Sequence, residues 1–93
     1  MSQRKDVLSL KALAEKGDAG SPNNLGLRYS KDEGVLSDDV TAYAWYNIAA
    51  ANGNVDAKEA KVSLAKIMTP ESIIKAQELS KEMFKKNSKL LKK

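Results

Sequence analysis

Residues 40–53 read VTAYAWYNIAAANG, a long apolar run closed by an asparagine and a glycine. At about 100° per residue, as an α-helix turns, the apolar positions from Val40 through Trp45 and Ile48 to Ala51 encircle the axis and leave no polar face. A helix of this kind must be covered on more than one side. The segment is therefore expected to be the central helix of the fold, with its alanines letting neighbouring helices come close. Gly53 supplies the left-handed stop that helices favour, and Asn54 or Asp56 begins the next element. On the other side, Asp38 and Asp39 put negative charge into the first turn, where the helix dipole favours it.

Working outward toward the N-terminus, the stretch DEGVLS at 32–37 breaks the periodicity and reads as a short connection between helices. Before it, a helix is expected from Asp18 or Ser21 to Lys31, Ser21-Pro22 having the form of a cap and a first helical position. Pro22, Leu25, Gly26 and Tyr29 share the face expected to meet the core, while Asn24, Leu27 and Lys31 are expected to point outward. A glycine inside a helix costs about 1 kcal/mol relative to alanine, so Gly26 predicts a second helix passing close by. Residues 4–16, with Val7, Leu8, Leu10, Ala12, Leu13 and Ala14 at helical spacing, read as a further amphipathic helix ending at Gly17.

Toward the C-terminus, Val55 to Met68 reads as a helix with Ala57, Ala60, Leu64, Ala65 and Ile67 near one side. Thr69-Pro70 then restarts the chain as a capping hydroxyl and a helical proline. The last helix carries Ile73, Ile74, Ala76, Leu79, Met83 and Phe84. Beyond Lys86 it is expected to fray, because lysines outnumber the apolar anchors Leu90 and Leu91. Removing residues 87–93 is therefore expected to leave stability nearly unchanged. The fold class is all-α, about five antiparallel helices stacked as helix-turn-helix in a short α/α solenoid. The 93 residues are read as one domain, with an N-terminal helix at 1–16, a repeat at 17–53 and C-terminal helices with a basic tail at 54–93.

The repeat is expected because residues 17–53 resemble one Sel-one-like repeat (SLR), a relative of the tetratricopeptide repeat. The matching words are Gly17-Asp18-Ala19, Asn23-Asn24-Leu25-Gly26-Leu27, Tyr29, Glu33-Gly34-Val35, Asp38, Ala42, Trp45 and Ile48-Ala49-Ala50-Ala51-Asn52-Gly53. The two boundary glycines stand 36 residues apart, the period of this family. Residues 54–86, with Thr69-Pro70-Glu71, resemble the stretch that often closes such arrays. Departures fall at Pro22, Asp32 and Leu36. The resemblance implies a structural core of Leu25, Gly26, Tyr29, Ala42, Trp45, Ala49 and Gly53. It also implies a scaffold or adaptor role, since these repeats generally hold partner proteins together.

With no cysteine and no histidine, the chain lacks thiolate nucleophiles, imidazole bases and the usual zinc and haem ligands. The carboxylates Glu33, Asp38 and Asp39 have no calcium-loop spacing, and the start of a helix accounts for the two aspartates. Neither catalytic, cofactor nor metal residues are assigned. Tyr29, Tyr43, Trp45 and Tyr46 could form an aromatic cage, but they sit at repeat-core spacings and are read as packing. No apolar run long enough for a signal peptide or membrane span starts the chain, which predicts a cytoplasmic protein with no membrane partner.

Two functional readings result. In the first, the chain is a non-enzymatic protein-protein interaction module that binds an unidentified protein, or weakly itself, through Asn24, Leu27, Arg28 and Lys31. The second starts from the net charge of +4, which is confined to one segment: residues 81–93 hold six lysines against Glu82 alone. A small basic accessory protein would bind nucleic acid or another polyanion there. The absence of arginine from that segment, and Phe84 as its only aromatic, disfavour nucleic acid.

Overall fold

The computed structural model describes residues 11, 14, 20–31 and 38–90, the side chains of residues 28–31 lying outside the described set. Four α-helices fall within these bounds: α1 (Ser21–Lys31), α2 (Asp39–Ala51), α3 (Val55–Ala65) and α4 (Pro70–Lys86). A 3-10 turn, Ser88–Leu90, follows α4, and no strand occurs among the described residues. Lys11 and Ala14 are helical; the rest of segment 4–16, the boundary Gly17-Asp18-Ala19 and the connector 32–37 lie outside the described residues.

Local chemistry sets the helix starts. Asp38 holds an extended backbone, and its carboxylate accepts from the Thr41 amide at 3.1 Å and the Thr41 hydroxyl at 2.6 Å. Asn54 caps α3 by accepting from the Ala57 amide at 2.9 Å, after Gly53 has turned the chain at φ +92°. Thr69 caps α4, its hydroxyl oxygen accepting from the Ser72 amide at 3.1 Å with Pro70 opening the helix. Each such cap satisfies an orphan amide and contributes about 1 kcal/mol. α1 begins at Ser21, the later of the two expected starts, but Ser21 is already a helical residue and not the cap: the Gly20 carbonyl accepts from the Asn24 amide at 3.2 Å, and Ser21 and Pro22 are both buried in the first turn.

The central position expected of residues 40–51 is observed, since α2 packs on α1, α3 and α4. On one side Trp45 and Ile48 meet Ala14, Leu25 and Leu90, with Met83 and Phe84 alongside. On another, Ala42, Tyr43, Tyr46 and Ala49 meet Ala57, Leu64 and Ala76. Burying apolar surface on both sides of one helix is what stabilises an assembly otherwise made of separate short helices, which are marginal alone.

Gly26 is the close approach between α1 and α2. A Cβ built there would lie 2.6 Å from two ring carbons of Tyr46, well inside contact distance. Gly26→Ala therefore sets a propensity gain of about 1 kcal/mol against overpacking of about 1–3 kcal/mol. We expect a net fall in melting temperature of several degrees by circular dichroism; a rise would show that the Tyr46 ring swings away at no cost.

Four expectations are corrected. Leu27 does not turn outward: it is half-buried against the Ala42–Tyr43–Tyr46 side of the core, because the missing side chain at Gly26 draws α2 so close that the flanking position joins the contact. The helix expected to reach Met68 ends at Ala65, so Ile67 falls in the following turn and is 75% exposed. Ile74 likewise sits on the outer face of α4. The tail does not fray at Lys86. Asn87 ends α4 and accepts through its side-chain oxygen from the Lys89 amide at 3.1 Å, and the 3-10 turn folds Leu90 into the core at 4% exposure. Neighbouring residues of a 3-10 turn point about 120° apart, so Lys89 stays in solvent while Leu90 is buried.

Candidate partner-binding groove

Ser80 lies against Asn47 and Leu90 against Asn52, so α4 runs alongside α2 in the same direction, and α3 runs back in the opposite one. Near the 66–69 turn α3 and α4 share the core cluster through Leu64, Met68, Ile73 and Ala76. Farther along they separate, each packed on α2 without a comparable interface between them. The exposed strip of α2 thus becomes the floor of a groove. Two adjoining clefts of about 340 and 440 Å³ share Asn47 and Ala51 as floor residues. Gln77, Ser80, Lys81 and Phe84 form one wall; Lys58, Lys61 and Val62 form the other.

A directed polar chain crosses this groove. The Lys61 ammonium donates to Asn47 Oδ1 at 2.8 Å, Asn47 Nδ2 donates to Ser80 Oγ at 3.0 Å, and Ser80 Oγ donates to the Gln77 carbonyl at 2.9 Å. Both ends of the amide are used, which fixes its orientation and ties α3 to α4 through α2. The same ammonium stands 5.8 Å from the centre of the Tyr43 ring, within cation–π range. Among the described residues Lys61 has no carboxylate partner, and no carboxylate lines either cleft.

A separate cleft of about 400 Å³ opens on the far side of α4, between Thr41 and Trp45 below and Leu79, Met83, Lys86 and Leu90 above, with Lys11 at its edge. Among the described residues no group of three or more acidic, cysteine or histidine side chains is placed to hold a metal ion. Nor is any described helix long and apolar enough to cross a membrane.

A TM-score of 0.84 relates this chain to a crystal structure, that of a protective antigen present in uropathogenic Escherichia coli strains and displaying an SLR fold. The chain has the SLR fold. The superposition covers 91% of it at 26% sequence identity, and it spans 18% of the length of the antigen. No protein-family model matches the chain, and no curated protein matches it.

Within the SLR fold, the residues singled out in the sequence fall as follows. Leu25, Gly26, Ala42, Trp45 and Ala49 are buried, and Gly53 takes the positive φ. Tyr29, Arg28 and Lys31 have their side chains outside the described set. Of the four residues expected to bind a partner, Asn24 is exposed and Leu27 half-buried, so the described part of that face has lost its apolar centre to the core. The groove residues Asn47, Lys61 and Ser80 were not anticipated. One signal was present: Asn47 is an amide embedded in an otherwise apolar helical stretch.

Proposed function

We propose that this chain is a non-catalytic protein-binding module, an adaptor or scaffold of the SLR type, and that its partner seats in the groove between α3 and α4. The observation that supports the reading is the groove itself, a concave surface with a small apolar floor and a polar chain held ready by three helices. Preorganised surfaces of this kind spend little ordering entropy on binding. The exposed Val55 and Val62 on α3 extend the apolar contact available to a protein, including a second copy of the chain.

Ala51→Tyr tests the assignment. Ala51 is exposed, so added bulk fills the floor without entering the core. Partner capture from the host's lysate is expected to fall with Ala51→Tyr and to survive both Asn24→Asp, on the exposed side of α1, and the triple change of Lys85, Lys86 and Lys89 to glutamine. Loss only with Asn24→Asp would return the site to α1. Loss only with the lysine changes, together with steep salt dependence, would favour the polyanion reading.

A further inference from the structure

Resting on that reading of the groove, we propose that its ligand is an acidic peptide segment of a partner protein, with a carboxylate bound by Lys61. The half-buried Lys61 ammonium is held by two neutral groups, the Asn47 amide oxygen at 2.8 Å and the Tyr43 ring at 5.8 Å. Neither cancels its charge. A positioned cation without a counter-charge in a concave site is a binding element for an anion, because its desolvation and side-chain entropy are already met in the free protein. Lys58 stands on the same wall and Lys81 on the opposite one, so a ligand along the groove meets positive charge from both sides.

The apolar parts select a peptide over a nucleic acid. Ala50 and Ala51 on the floor, with Val62 and Phe84 on the walls, suit small aliphatic side chains between acidic ones. Among the described residues no arginine lines the groove to clamp phosphates, and the one aromatic that does, Phe84, is engaged with the Trp45 side of the core. The densest lysines, Lys85 and Lys89, lie outside it.

The experiment is fluorescence anisotropy with a short fluorescein-labelled peptide of aspartates and glutamates around a central leucine. Lys61→Gln is expected to weaken binding about tenfold, consistent with loss of a directly paired charge, whereas Lys85→Gln, which removes the same formal charge, changes it by less than about twofold. An unlabelled oligothymidylate is expected not to compete. Equal weakening by the two variants would overturn the proposal in favour of net charge, and full competition by the oligonucleotide would overturn it in favour of a general polyanion site. If Lys61→Gln proves unfolded by circular dichroism, Lys58→Gln with Lys81→Gln takes its place, with the same expected loss. Failure of the peptide to bind wild type, while Ala51→Tyr still abolishes partner capture, would overturn the acidic chemistry and leave the protein-binding role standing. Failure of both would overturn the role as well.

Discussion

Trp45→Ala is expected to abolish the cooperative thermal transition or lower it to near room temperature. Trp45 is 5% exposed, and its cluster draws on Ala14, on Leu25 of α1, on Ile48 of α2 and on Leu90 of the tail, with Met83 and Phe84 of α4 against it. Truncation there leaves a cavity at the point where separate elements converge, with no single neighbour able to collapse into it. Such changes cost about 3–5 kcal/mol, out of a total of roughly 5–10 kcal/mol for a domain of this size. Circular dichroism melts of wild type, Trp45→Ala and the milder Trp45→Phe would show the gradation. A Trp45→Ala protein melting within a few degrees of wild type would mean that the ring is dispensable for packing. Since Trp45 also lines the cleft with Thr41, Leu79 and Met83, that result would reopen the aromatic-cage reading.

Leu90→Ala is expected to be nearly as damaging, with a loss of about 2–4 kcal/mol from cavity formation. Deleting residues 87–93 is expected to cost more still. The deletion also removes the Leu90 carbonyl that accepts from Asn52 Nδ2 at 2.7 Å, a hydrogen bond closing the tail over the end of α2. Urea unfolding of Leu90→Ala beside Lys89→Ala separates the two faces of the turn, since Lys89 is exposed. Equal midpoints for those variants would show that the tail is not docked, and would restore the frayed, solvated segment that its lysines suggest. The docking confines the polyanion reading to the outward lysines of a structural element.

What the sequence by itself determined was the order of helices and the identity of the central one. Caps and stops act over three or four residues, so Asn54 and Thr69-Pro70 are legible wherever they stand, while Asp38, expected with Asp39 in the first turn, is the cap that precedes it; an apolar circumference such as that of residues 40–51 has no stable place except between neighbours. Gly26 carried long-range information too, because a glycine retained inside a helix requires a reason, and here the reason is the Tyr46 ring. The fate of side chains at the margins depended on the tertiary structure. Leu27 and Ile67 are both apolar and at plausible core spacing or its opposite; the distance between α1 and α2 buries the first, and the early end of α3 exposes the second. Leu90 looked like a residue in a lysine tail until a 3-10 turn separated it from Lys89. The groove was the least legible feature of all. Asn47, Lys61 and Ser80 lie on three helices and meet only because α3 and α4 diverge over α2, and no periodicity within one helix encodes the angle between two others.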